Sequence, residues 1–231
     1  MPQLSILVPV YNEERTLPTI MCAIAAACPD AEIVYVDDGS ADRSLELLRQ
    51  HARPQDRVIA ATHGGKGTAI RRGLEEVSGE YTVIQDADLE YDPREIITLL
   101  DEAKRHVGAA VFGSRFFGSG FFNWKTPHIY TRFLIGNKVL TACMNMLFRA
   151  RLTDSYTCYK LLPTAAFRSL HLQSNGFELE AEICARCVKS GINIREIPIT
   201  YHPRSIEEGK KIRFSDAWKG LLMMLKIRFT A

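Results

Sequence analysis

No apolar run in this 231-residue chain approaches the ~18 residues that a membrane-crossing helix needs, so no segment reads as a span. The N-terminus leads straight into an apolar, strand-like stretch with no basic segment before it, which is not the layout of a secretion signal. Low-complexity tracts and internal repeats are missing too, which sets aside disordered and solenoid architectures. The six cysteines (Cys22, Cys28, Cys143, Cys158, Cys184 and Cys187) have neither the density of a disulfide framework nor the spacing of a zinc site, and they point to a reducing compartment. Cys184 and Cys187 form a CxxC, but Leu179, Ile183 and Cys187 recur on one helical face, a core-packing pattern. Serine-hydrolase elbows (GxSxG), HExxH and zinc-deaminase patterns are absent, which removes those chemistries. Nucleic acid is not expected as a partner, and the protein reads as cytosolic or peripheral.

What is present is the composition of an ordinary globular domain, 46% apolar and 24% charged. The length fits one large α/β domain rather than two. Short β-rich runs alternate with helical periods: LSILVPV, EIVYV, RVIAAT and YTVIQ, each followed by apolar residues at helical spacing, and then AAVFG. That alternation predicts a mostly parallel sheet covered by helices. Further on the pattern predicts a helix through Phe133, Val139, Leu140, Cys143 and Leu147, a strand near Tyr159 to Leu162, a helix from Phe177 to Lys189, a strand at NIREIPITY and a terminal helix. A catalytic domain over 1–213 and an amphipathic helix over 214–231 follow. In such sheets ligands sit beyond the carboxyl ends of the strands, where Asn12 and Glu13, Asp37 and Asp38, and Asp86 and Asp88 cluster.

QDADLEYDP at 85–93 is the most informative segment, because Asp86 and Asp88 on one side of an extended chain can both reach a hard divalent cation. Such an ion can bridge the phosphates of a diphosphate leaving group. A calcium hand would need Gly at 91 and Glu at 97, where Tyr91 and Ile97 stand; a solvated acidic turn is the other reading. GGKG at 64–67 opens a helix and suits an anionic phosphate, or is a simple turn. It is no Walker loop, since Ala60 and Gly67 occupy positions that need Gly and Ser or Thr, and no GxGxxG, since Ile70 takes the third place. In VDDGS at 36–40 one carboxylate can accept hydrogen bonds from a nucleoside while the other caps a helix, or both cap.

Taken together, VPVYNEE (8–14), VDDGS (36–40), GGKG (64–67), DADLEYDP (86–93), GSR (113–115), DSYTCYKL (154–161), GFELEAEI (176–183) and YHPRS with GKK (201–211) resemble family 2 glycosyltransferases of the GT-A fold. Within that family the chain is similar to the dolichyl- and polyprenyl-phosphate mannose synthase group. The resemblance implies inverting transfer of a sugar from a nucleoside diphosphate, GDP- or UDP-linked, to a polyprenyl phosphate at a membrane surface. It also implies that Pro9, Tyr11, Asn12, Glu13, Asp37 and Asp38 hold the nucleoside, that Lys66 and Lys211 lie at the donor, and that Asp86, Asp88 and Glu90 surround Mg²⁺ or Mn²⁺. Arg115, Arg132 and Arg204 would contact donor or acceptor phosphates, for which guanidinium forks are well shaped. Glu90 departs from the glutamine frequent at its place, and Thr157 and Cys158 replace a common Ser-Gly. A hydroxyl acceptor would need a general base, with Glu178 or Glu180 as candidates, and a non-catalytic nucleotide-sugar-binding subunit is the reading outside enzymes.

Between 204 and 228 seven bases face three acids. Trp218, Leu221, Leu222, Leu225 and Phe229 recur there at helical spacing, with Lys219, Lys226 and Arg228 among them, which predicts a helix lying in a membrane interface or packed on the core. The aromatic stretch with Phe121, Phe122 and Trp124 is a second candidate lipid contact.

Overall fold

A computed structural model describes residues 2–117, 128–204 and 214–230. In chain order the elements are β1 (Leu4–Val10), α1 (Leu17–Ala27), β2 (Glu32–Asp37), α2 (Ser44–His51), β3 (Arg57–Ala60), α3 (Lys66–Glu76), β4 (Tyr81–Ile84), α4 (Glu95–Arg105), β5 (Ala110–Ser114), α5 (His128–Phe148), β6 (Lys160–Pro163), α6 (Thr164–Ser169), α7 (Leu179–Lys189), β7 (Ile194–Pro198) and α8 (Phe214–Phe229). The strands form one sheet in the order β3-β2-β1-β4-β6-β5-β7. The expected strands are all present. The short α6 was not anticipated; its six residues are too few to show a helical period.

The central strands are apolar on both faces because helices cover both. Ile6, Leu7 and Val8 of β1 and Ile33, Val34 and Val36 of β2 have no exposed surface, which is why these segments read as continuous hydrophobic runs rather than alternating ones. At ~25 cal/mol per Å² of buried apolar surface, this two-sided layer supplies the main drive for folding.

The strand order places the site. β2 and β3 lie to one side of β1 and β4 to the other, so the winding reverses between β1 and β4, and a crevice opens beyond their carboxyl ends. β6 runs antiparallel to β4 and β5, a departure from the parallel pairing of the first four strands. Its reversed direction has a consequence at the site: the residues leading into β6 lie at the same rim as the residues leaving β4. Val83 pairs with Leu161, so Tyr159 meets Gln85 through a 2.5 Å hydrogen bond from its hydroxyl to Oε1. β7, parallel to β5, delivers Tyr201 and Arg204 to that rim.

The terminal helix packs on the core. Met224 and Ile227 of α8 are buried, and Lys189 of α7 donates to the carbonyls of Ile227 (3.0 Å) and Thr230 (2.5 Å). Trp218, Leu222 and Phe229 of the same helix remain 60%, 63% and 78% exposed, so α8 has a packed face and a bare apolar one.

Candidate active site

On the β1–β2–β3 side the rim is a set of turns tied together by carboxylates. Asp38, buried after β2, accepts the amides of Gly64 (2.9 Å) and Gly65 (2.8 Å) and meets His63 Nδ1 at 2.8 Å. It thus holds the glycine loop. His63 stacks on Tyr11, ring centroids 4.2 Å apart. Asn12, in the left-handed region at φ 50°, accepts the amide of Ala41 at 2.8 Å. Asp37 accepts the amide of Ser40 through Oδ2 at 3.1 Å, while its buried Oδ1 finds no partner among the described residues. A buried acceptor left open in this way is a place for a ligand hydroxyl or N–H.

The glycine loop itself differs from the phosphate-cradle expectation. The first amides of α3, Gly67 and Thr68, donate to the carbonyl of Asn175 at 2.7 and 3.3 Å. A Cβ at Gly67 would lie 2.2 Å from Ser174 O, and one at Gly65, where φ is 93°, 2.5 Å from Asn175 O. These glycines admit a close backbone crossing, which takes up two of the early amides of the helix.

At the switch point lies a cluster of opposed charges. Lys66 Nζ contacts both oxygens of Asp86, at 2.8 and 3.0 Å, and Glu180 Oε1 at 2.9 Å. Glu180 Oε2 pairs with Lys160, which also donates to the carbonyl of Thr157. Burial alone would lower the Lys66 ammonium, but Asp86 and then Glu180 outweigh it and hold it well above its usual range. Burial would likewise raise Asp86, yet Lys66 keeps it below the ordinary carboxylate range. Asp88 is less compensated: burial, then Asp86 and Glu90, push it up to about 7 against the opposing pull of Arg204.

Asp86 and Asp88 sit in a turn rather than on an extended chain; Leu89 is left-handed at φ 63°, and the amide of Glu90 donates to Asp88 Oδ1 at 3.1 Å. Arg204 reaches into this turn, its guanidinium bridging Glu13 (3.0 and 3.2 Å) and Asp88 (3.1 Å). Glu90, expected as a third metal ligand, anchors the strand-end loop: Oε1 accepts the Arg204 amide and Oε2 the Tyr201 hydroxyl, both at 2.8 Å. Among the described residues no three acidic, His or Cys side chains are gathered into a ready metal cage. The hard oxygens of Asp86 and Asp88 suit Mg²⁺ or Mn²⁺, and both carboxylates are now held by side-chain cations, Lys66 and Arg204, that a divalent ion would replace.

Arg115 was expected on a phosphate. Here its fork closes on Asp154, Nε to Oδ2 at 2.7 Å and Nη2 to Oδ1 at 2.8 Å, and it lies 5.0 Å from the Tyr201 ring. Glu196 of β7 holds the same loop by accepting the amides of Thr153 (2.7 Å) and Asp154 (2.9 Å). The Arg132 side chain, Lys211, Phe121, Phe122 and Trp124 lie outside the described residues. The structure thus brings together Glu13, Lys66, Asp86, Asp88, Glu90, Glu180 and Arg204; Pro9, Tyr11, Asn12, Asp37 and Asp38 lie at the carboxyl ends of β1 and β2. Sequence reasoning missed Lys160, His63 and Asn175. A lysine inside the apolar run YKLLP was the available signal for the first.

The model of the family described as Glycosyl transferase family 2 matches residues 5–168. A low-salt glycan biosynthesis hexosyltransferase of Haloferax volcanii is 30% identical over 97% of this chain and 53% of its own length; this chain therefore spans about half of that relative. A polyprenol monophosphomannose synthase of Mycolicibacterium smegmatis is 28% identical over 89% of the chain and 79% of its own length. Among solved structures, glucosyl-3-phosphoglycerate synthase from Mycobacterium tuberculosis, in complex with Mg²⁺ and uridine diphosphate, superposes with a TM-score of 0.73 at 18% identity, covering 98% of this chain and 79% of that one. The last of these speaks to the fold alone, and it agrees with the switch-point crevice described above. With its glycine loop, its paired aspartates and a family match across most of its length, this chain belongs to glycosyl transferase family 2, with a GT-A fold.

Proposed function

We propose that the chain transfers a hexose of the mannose or glucose type, with inversion, from a nucleoside diphosphate to a polyprenyl phosphate. The observation that carries this reading is the state of Glu180. A hydroxyl acceptor needs a base to take its proton, and Glu180 has one oxygen on Lys66 and the other on Lys160. Both carboxylate oxygens are thus occupied by ammonium groups, and neither is left to reach an acceptor hydroxyl. A lipid phosphate arrives already ionised and needs positioning instead. The polyprenol monophosphomannose synthase among the relatives supports the same acceptor class.

In this reading the open Oδ1 of Asp37 and the Tyr11–His63 stack receive the nucleoside. Asp86 and Asp88 hold a divalent cation, which supplies charge compensation for the diphosphate as it leaves. Arg204, Arg132 and Lys211 would contact the donor or acceptor phosphates. Membrane contact comes from two adjacent helices. Ile135, Val139 and Met146 of α5 and Trp218, Leu222 and Phe229 of α8 are exposed, with Lys219, Lys226 and Arg228 nearby to meet anionic headgroups. No helix among the described residues is long and apolar enough to cross a membrane.

The test is a panel of GDP- and UDP-linked hexoses offered to polyprenyl phosphate and, in parallel, to free saccharides, with Mg²⁺ or Mn²⁺ present. Lipid-linked sugar is expected, and Asp88→Ala should nearly abolish it. Transfer to saccharides with none to polyprenyl phosphate would refute the acceptor, and full activity in excess chelator would refute the metal.

A further inference from the structure

The reading above leaves Lys160 without a task. It is a fully buried cation at the start of β6, opposite Phe112 of β5 and 5.5 Å from its ring. Burial opposes its charge, yet Glu180 holds its ammonium above the ordinary lysine range. An ionised lysine is kept in such a place only when paired. Its partner Glu180 is also the partner of Lys66, which is the partner of Asp86. Four charges thus alternate in a row, Asp86, Lys66, Glu180, Lys160, and cancel in sum. Lys66, in the middle, has two seats: Asp86 at 2.8 Å and Glu180 at 2.9 Å.

An ammonium and a divalent cation compete for the same carboxylate. For Asp86 to take the ion, Lys66 must give up its hold there, and the closest negative group to which it can shift is the one it already touches. We propose that Glu180 is a positioning residue, the seat to which the Lys66 ammonium withdraws when Asp86 takes a divalent cation, and that Lys160 sets the strength of that seat by holding the other oxygen of Glu180. This inference rests on the metal reading above. It makes opposite predictions for the two partners. Without its charge, Glu180 leaves Lys66 nothing but Asp86, and the ion must displace it outright. Without Lys160, the whole carboxylate charge of Glu180 faces Lys66, and Asp86 is released more readily. A role confined to structural support would weaken the site in both variants.

The experiment is a Mn²⁺ titration of the full chain, followed by the free-ion electron paramagnetic resonance signal against a protein-free blank, with UDP and separately GDP at one fixed concentration. Glu180→Gln should weaken Mn²⁺ binding about tenfold, within the usual range of coupling between sites. Lys160→Met should bind Mn²⁺ as tightly as the wild type or more tightly. The double variant Lys160→Met/Glu180→Gln keeps the buried charges balanced, so it should melt close to the wild type and still bind Mn²⁺ as weakly as Glu180→Gln, which separates the effect from misfolding. Wild-type Mn²⁺ affinity in both Glu180→Gln and the double variant overturns the proposal, as does equal weakening by Lys160→Met. A wild-type chain that binds no Mn²⁺ with either nucleotide overturns the metal reading itself and this inference with it.

Discussion

Replacing Arg115 by methionine distinguishes a phosphate-binding arginine from one that holds the fold. The side chain is 10% exposed and Asp154 is fully buried, and two charge-assisted bonds of 2.7 and 2.8 Å join them. Removing one partner of a buried pair typically costs 3–5 kcal/mol, because the remaining charge is stranded. Asp154 would keep the amides of Arg115 (3.2 Å) and Tyr156 (3.3 Å), and methionine would keep much of the apolar contact with the Tyr201 ring, so a loss near the lower end, about 3 kcal/mol, is expected. For a chain of this size that corresponds to a Tm roughly 6–12 °C lower. Thermal and urea unfolding of the wild type, Arg115→Met, Asp154→Asn and the double variant complete the cycle, and a coupling of at least about 1.5 kcal/mol between the two positions is the expected result. The donor KM should change little in whatever fraction stays folded. A variant with wild-type stability and a donor KM raised tenfold or more would refute this reasoning and return Arg115 to the phosphates.

The same pair predicts an acid limb. Burial would raise the Asp154 carboxyl, but Arg115 outweighs it and holds it below the ordinary range, so in the wild type its stabilising contribution is complete above the unfolded-state value and is lost as pH falls through the lower folded-state one; in Arg115→Met burial is left to raise the same carboxyl, so the stability gap between the two should be widest near pH 8 and narrow steadily as pH falls in urea titrations, and a gap that widens in acid would contradict this. Gly67→Ala places a methyl group 2.2 Å from the Ser174 carbonyl oxygen, forcing α3 and the 174–175 segment apart at a cost of about 1–3 kcal/mol; an unchanged urea midpoint would show that the crossing is slack. Trp218→Glu/Leu222→Glu alters two residues that are 60% and 63% exposed, so it should leave the melting temperature nearly unchanged while abolishing most sedimentation with anionic vesicles at low salt; wild-type sedimentation would remove α8 from the membrane reading.

How much of this was legible in the sequence depends on the range of the interaction that fixes each feature. The strands were readable because their determinant is local: LSILVPV is apolar on both faces within seven residues, and no other element is needed to see it. The acidic residues were readable for a related reason. Asp86 and Asp88 follow β4 directly, and carboxylates at a strand end stand out against an apolar run. What they bind was not readable. Arg204 meets Glu13 across 191 positions and Asp88 across 116, and no spacing rule connects such residues until the strand order brings them to one rim.

The glycine loop shows how one local motif leaves its partner open. Glycines ahead of a helix suit either an anion or a close backbone crossing, and the motif alone does not distinguish them. The crossing partner is Asn175, 108 positions beyond Gly67, whose carbonyl takes the amides of Gly67 and Thr68. That contact exists because α7 is preceded by a turn laid across the start of α3, with Glu182 accepting the amides of Gln173 (2.9 Å) and Ser174 (2.7 Å). Glu182 lies two residues from Glu180 on the same helix, and both are buried, one against a backbone turn and the other between two lysines. The GFELEAEI segment therefore does two jobs through alternate carboxylates. Glu182 fixes the turn that closes the glycine loop, and Glu180 meets the lysine which that loop carries. The position of Lys66 over Asp86 is thus set from α7 as much as from its own helix, and the two carboxylates should couple: Glu182→Gln should loosen the 173–175 turn and, through it, shift the Mn²⁺ affinity in the same direction as Glu180→Gln.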